Sequence, residues 1–441
     1  MTLNCCSRHL GKASSRLMTD NQFPFAMLWA RLCCLPLRPK RSIPMREKPL
    51  PVIPSFLNYH NALADFLQHE EADIWTWFAS DKLTEQAFDE NRLMLLKNAV
   101  RLDAGSHEML FTAAAEVKEA LEIDVPLSLY QGTGHHRNAA LVYTPDEVNI
   151  MFEGETLDIL NDAELRCLLG HEMAHYLHKT REDGRYFTAD RMLGWICGEN
   201  GAHHAHLRSL WLSQLYQEIY ADRVGFMVCD DRDAAISLLI KVGSGLKKFS
   251  IETYLEQAAE ALNLNKKDGS QGVSHPETYI RAIALADWAK DNVTADARLP
   301  ELVEGDDRLE RLDLLAQRKL TDLTRAMIQQ FLSADWAQSE ELEAHARAFF
   351  PDFESTLIPP DDTELNALAE ASDDVKDYMA SVLLDFAAAD PDLEDEPLLR
   401  AMAFASKHGL DDAIAPRITK DLGVPKKKLA TLHKAVAEAA Q

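Results

Sequence analysis

Positive charge is what this chain has least of. Its 441 residues hold 46 Lys and Arg against 71 Asp and Glu, a formal net charge of -25. A protein that grips nucleic acid needs a basic surface to neutralise phosphates, so that class is set aside first. Long apolar runs are missing too. No stretch of 18 apolar residues occurs, so no transmembrane helix is expected. Cysteine is scarce: seven residues, an odd number, with no C-x-x-C pair. That excludes a disulfide framework and a zinc ribbon and points to reduced thiols in a cytoplasmic protein, with membrane association as the alternative. There is no internal repeat. What is present, 46% hydrophobic and 27% charged residues, is the composition of a folded chain, long enough for two or three domains.

The little positive charge is concentrated at the start. Residues 1–44 carry seven Lys and Arg and one acid, with the adjacent pairs Cys5-Cys6 and Cys33-Cys34. The apolar stretch 23–37 is interrupted by Arg31 and two prolines, and its charge follows it, which is the reverse of a secretory signal. Two readings stand: a disordered basic extension, or an upstream start with Met45 as the true beginning. Residues 45–295 are read as one domain. Helical spacing runs through 55–125, including Leu93, Leu95, Leu96 and Val100. Short apolar runs at 126–130, 140–143 and 148–152, punctuated by Gly and Pro, are read as strands. Helices resume from Asn161, a loop follows at 265–270, and a helix is expected over 276–290. Residues 295–307 are read as a linker to an acidic helical domain over 308–441.

One segment carries chemistry. Gly170-His171-Glu172-Met173-Ala174-His175 is an H-E-x-x-H sequence in a helical context, with Asn161 as N-cap and Glu164 three residues on to complete a capping box. On a helix His171 and His175 lie one turn apart on one face, and Glu172 sits about 100° round from them. Two imidazoles can then grip one ion, with a carboxylate placed to take a proton from water. His178, a further turn on, is read as a solvated histidine or one that supports a neighbour. A catalytic zinc needs a third protein ligand. The candidate is Glu218, with Asp222 one turn later able to hold a ligand histidine in the required tautomer. The helix carrying them is marked by Leu207, Leu210, Trp211, Leu215 and Phe226. The interval between, rich in glycine and holding His203, His204 and His206, is read as a solvated or lid-forming loop, with a second metal site as the lesser reading.

The run L-x-x-L-L-G-H-E-M-A-H, then E-x-x-A-D-x-x-G, then Ser274-His275-Pro276 with Arg281 beyond, resembles the HtpX-like and CAAX-prenyl-protease-like zinc metallopeptidases over about 125–290. The resemblance implies a gluzincin-type fold, mostly α with a small β-sheet (α+β), followed here by the helical C-terminal domain. It implies one zinc ion per chain held by His171, His175 and Glu218, with Glu172 as catalytic base and Asp222 behind the ligands. Asn138 and Ala139 correspond to an edge strand that would bind substrate by strand addition. The membrane members carry transmembrane hairpins, and this chain has none between His175 and Glu218. His275 is either an oxyanion donor, a group that closes a latent site, or a helix start with Pro276 at the first turn. Arg281 is an ion-pair partner for a site carboxylate.

Residues 301–441 carry 30 acids and 15 bases. The stretch 387–399, with Asp390, Asp392, Glu394, Asp395 and Glu396, weakly resembles the turn of TerB-like helical bundles and is read as a solvated acidic loop. The domain is a possible partner-binding module. Two functions are weighed: a zinc metalloendopeptidase acting on protein or peptide substrates, and a latent or idle member of the same fold serving as an adaptor.

Overall fold

The computed structural model describes residues 52–80, 85–198, 202–265, 267–306, 308–359 and 361–439. The basic start and its two cysteine pairs lie outside the described residues. The described chain is mostly helical with one small sheet, the α+β arrangement expected. Helices α1 (Asn58–Glu70), α2 (Ala72–Ser80) and α3 (Glu85–Asn98) lead into strand β1 (Ala99–Arg101) and helix α4 (Glu108–Ala120). Val100 therefore belongs to a strand, and its side chain is exposed there, so its helical spacing with Leu96 is incidental.

The sheet continues with β2 (Leu127–Gly132), β3 (Asn138–Leu141) and β4 (Val148–Glu153), in the order β1-β2-β4-β3. β2 and β4 run parallel; the other pairs are antiparallel. β4 is central and nearly all buried, as its apolar Val148, Ile150 and Phe152 require. β3 is left at an edge.

Helices α5 (Thr156–Ile159), α6 (Asp162–Thr180), α7 (Arg185–Gly198), α8 (His204–Cys229), α9 (Arg232–Ser244), α10 (Ile251–Leu264), α11 (Thr278–Lys290) and α12 (Asn292–Val303) complete the first core. Two expectations are corrected here. The interval between His175 and Glu218 is not a loop. It contains α7, which buries Tyr186, Ala189, Met192 and Leu193, and this burial holds the helix across Gly194. The expected linker over 295–307 is helical from 295 to 303. α12 carries Leu299, Leu302 and Val303 into the core, with Pro300 tolerated inside the helix.

Helix α13 (Leu314–Leu332) belongs to two cores. Leu314 packs with the first, while Leu323, Met327 and Phe331 pack with a second core. Its N-cap Asp313 accepts from Ala316 N–H and from Tyr59 Oη at 2.6 Å, and Leu314 N–H donates to Ser209 Oγ. The second core is built with α14 (Glu340–Phe349), α15 (Asp362–Leu365), α16 (Asp373–Ala388), α17 (Glu396–Lys407), α18 (Asp411–Lys420) and α19 (Lys426–Ala439). Among the described residues no helix is long and apolar enough to cross a membrane. Cys167, Cys197 and Cys229 are free.

Candidate metal centre and cleft

The site is made by two helices forced into close contact. α6 starts at the capping box: Glu164 N–H donates to Asn161 Oδ1, and Asn161 N–H donates to Glu164 Oε2. Ser237 and Lys241 on α9 also bond to Glu164, which fixes the helix entry. Immediately before His171, Gly170 faces Gly225 of α8. A Cβ on Gly225 would lie 2.6 Å from the Cys167 carbonyl oxygen, and one on Gly170 would lie 3.1 Å from Gly225 Cα. Only glycine permits backbones this near, and the approach brings the imidazoles of α6 against the carboxylates of α8.

His171 Nε2 and His175 Nε2 are 3.3 Å apart. Glu218 Oε2 is 3.4 Å from the first, and Glu218 Oε1 is 3.5 Å from the second. His171 Nδ1 lies 3.0 Å from Asp222 Oδ1. With the proton on Nδ1, where it bonds to the carboxylate, Nε2 presents a bare lone pair toward His175. Two imidazole nitrogens and a carboxylate oxygen that repel one another need a cation between them. Donors about 2.1 Å from a tetrahedral ion stand about 3.4 Å apart, so the spacing fits zinc. Glu218 Oε2 is buried without a hydrogen bond, as an atom reserved for a metal would be. Among the described residues this group alone could hold a metal in this way; His203, His204 and His206 form no second cluster.

The electrostatics follow. Burial opposes charge on His171, but its hydrogen bond to Asp222 and the negative charges of Glu218 and Asp222 outweigh it and draw its pKa up to about 10, so a cation at Nε2 would have to displace a second proton. Burial pushes His175 down to about 3. Burial also opposes ionisation of Glu218, yet His171, His175 and Arg281 hold it well below the usual carboxylate range. The same site lifts Glu172, mainly by burial, to about 7, in the range where a carboxylate can both take and return a proton. Arg281, from α11, donates from Nε to Asp222 Oδ2 at 2.8 Å and from Nη2 to Oδ1 at 2.6 Å. Its Nη2 also lies 3.4 Å from Glu218 Oε2. The chain of contacts Arg281, Asp222, His171 fixes the His171 ring from behind. His275 is half exposed, with Nε2 3.5 Å from Glu218 Oε2 and Nδ1 2.7 Å from Ser274 Oγ. It does not start a helix: α11 is capped by Glu277, so Pro276 lies one position before the cap.

All nine residues singled out from the sequence line one cleft of about 700 Å³: His171, Glu172, His175, Glu218, Asp222, His275, Arg281, Asn138 and Ala139. His178 does not join it. It is fully buried rather than solvated, accepts from Gln217 Nε2 at 2.8 Å, and packs against Phe56, His60 and Tyr186. Leu141, Lys179 and Arg137 also line the cleft. The signal for Lys179 is its one-turn spacing from His175 on α6; that for Leu141 and Arg137 is topological, since β3 and its flanks become cleft wall only because β4, and not β3, takes the centre of the sheet. Val142 N–H bonds inward to Asn149 O, so by strand alternation Ala139 and Leu141 turn their backbone groups away from β4, where that of Leu141 meets the Glu172 carboxyl.

Residues 122–289 match the family model for Peptidase family M48. No curated protein and no solved structure matches the chain.

Proposed function

From the membership of residues 122–289 in peptidase family M48, we propose that the chain is a zinc-dependent endopeptidase with Glu172 as general base. The observation that carries this reading is the set His171, His175 and Glu218 at tetrahedral spacing beside a buried carboxyl. These three side chains would hold the ion, and Asp222 with Arg281 would orient His171. A bound zinc ion supplies Lewis acidity, polarising the scissile carbonyl and making water a nucleophile near neutral pH. Glu172 accepts a proton from the attacking water and returns it to the departing amine. Ala139 and Leu141, on the open edge of β3, align the substrate backbone as an added strand, with Asn138 at its end. His275 Nε2 is on the solvent side of the ligands, where a hydrogen bond to a developing oxyanion is in reach.

The test is elemental analysis for zinc combined with casein cleavage, with and without chelator. Glu172→Gln should keep one zinc per chain and lower cleavage by about 10²–10⁴-fold. Full activity in that variant would remove Glu172 from the mechanism. The second reading, a latent or idle protein acting as an adaptor, draws on the approach of His275 to Glu218. It predicts zinc without cleavage of any substrate, or a gain of activity in His275→Ala.

A further inference from the structure

The cleft contradicts the charge of the molecule. On a chain with 71 acidic residues, the acids lining the cleft are Glu172, Glu218 and Asp222, all drawn into the metal centre. Away from that centre the cleft wall is cationic. Arg137 immediately precedes β3. Its guanidinium is seated on Gly245, where an added Cβ would lie 2.6 Å from Cζ. Gly245 is the left-handed C-cap of α9, so the cation rests at the negative end of that helix. Arg137 has no carboxylate within ion-pair distance among the described residues, and its Nε is buried without a hydrogen bond. Lys179 lies one turn beyond His175. Its ammonium is held by rings, 4.9 Å from the centre of Phe187 and 5.7 Å from that of Tyr143. It too has no ion pair among the described residues. Asp190 attracts it without reaching ion-pair distance, and burial disfavours its charge.

The two cations bracket one strand. Arg137 is at the entry to β3, and Tyr143, under Lys179, is two residues past its exit. Between Arg137 and Tyr143 lie five residues, of which Ala139 and Leu141 turn away from β4, and the six steps of extended chain span about 20 Å. A cation left unpaired in a partly dried wall gains most from an incoming anion, and this spacing matches side chains at the two ends of a peptide laid along β3.

We propose that the cleft selects peptides bearing acidic side chains, Asp or Glu, at the two ends of the segment that pairs with β3, one received by Arg137 and the other by Lys179. The proposal rests on the peptidase reading of the site and names the class of substrate it takes.

Two measurements separate the two claims. In the first, the zinc-loaded 441-residue Glu172→Gln chain is titrated with labelled decapeptides. One carries two Glu four to six residues apart, one carries Gln there, and one carries Lys; each is made with a free and an amidated C-terminus. The acidic peptide should bind about tenfold more tightly than its Gln counterpart for each charge received, with the advantage shrinking as salt is raised. Lys179→Gln and Arg137→Gln should each remove about one such factor. Lys179→Glu and Arg137→Glu should turn the preference toward the Lys peptide. Circular dichroism and zinc content of each variant show that the fold is intact. Equal binding of the three peptides, a preference unchanged in both charge variants, or a preference lost on amidation would overturn the proposal; the last would mean that the cleft reads a chain end. In the second measurement, active chain digests a proteome-derived peptide library. Enrichment of Asp and Glu on both sides of the cut, with one side lost in each variant, supports the selection. Cleavage without it overturns the selection but leaves the peptidase reading standing. Acidic-peptide binding with no cleavage supports the selection and counts against the peptidase reading alone.

Discussion

The two hydrophobic cores of this chain are built to different rules. The first, around α6 and α8, buries Glu164, His171, Glu172, His178, Glu218, Asp222 and Arg223 among its apolar residues. The second, from α13 to α19, is apolar nearly throughout, and its buried polar side chains among the described residues are Thr324, Asp390 and His408. Burying ionisable groups costs stability unless each finds a partner, so the first core holds its charges as a linked set. The lesson is that the position of chemistry can be read from where a core tolerates charge.

The sharpest way to break this contrast is to cut the linked set. Asp222→Ala would strand the Arg281 guanidinium in a mostly buried position and free the His171 ring. A loss of about 3–5 kcal/mol of stability is expected, together with a 10–100-fold weaker hold on zinc. Chemical denaturation and competition with a chelator measure both, and an unaltered zinc affinity would contradict the role assigned to Asp222. An apolar lesion in the second core should behave differently. Leu383→Ala should cost about 3 kcal/mol, read by the same denaturation, while zinc affinity under folding conditions stays at the wild-type value.

Acid titrates a buried histidine of the first core. Burial lowers the His60 pKa to about 4, so its folded form resists a proton that the unfolded chain accepts near 6.5. The contribution is complete above pH 6.5 and is lost as pH falls from there toward 4, reaching about 2 kcal/mol at pH 5. His60→Asn should flatten that part of the stability curve; an unchanged slope would place the titration elsewhere. The smallest effect belongs to the surface. Arg318 on α13 pairs with Glu70 on α1 at 2.8 Å, both about half exposed. Arg318→Ala should change stability by less than about 1 kcal/mol and leave the metal centre alone, as a melting curve and zinc content will register.

Much of the site is legible in the sequence because its signals are local. The Asn161 and Glu164 box, the one-turn spacing of His171 and His175, and that of Glu218 and Asp222 are all fixed by helical geometry within a few residues. The three longer strands are marked by short apolar runs. What escapes is set by distant packing. α7 lies in a glycine-containing interval whose helix is stabilised by burying Tyr186 and Leu193. α12 reads as a connector because Pro300 and its charges mask the spacing of Leu299, Leu302 and Val303. His178 follows the periodicity of the ligands, yet α1 and α7 cover it, a fact no spacing encodes. Arg137 reaches the cleft that Lys179 lines only through the order of the strands.

The glycine contact between α6 and α8 divides the cleft into a wall that can change and one that cannot. At positions 170 and 225 the helix backbones leave no room for a side chain, so neither helix can be shimmed outward or rotated by substitution there without parting His171 and His175 from Glu218 and Asp222. Diversity in what the cleft accepts must therefore enter through β3, its two flanking turns and the outer end of α6. Redesign of this protein toward new sequences has that strip of surface to work with, and the ligand-bearing seam has to be left as it is.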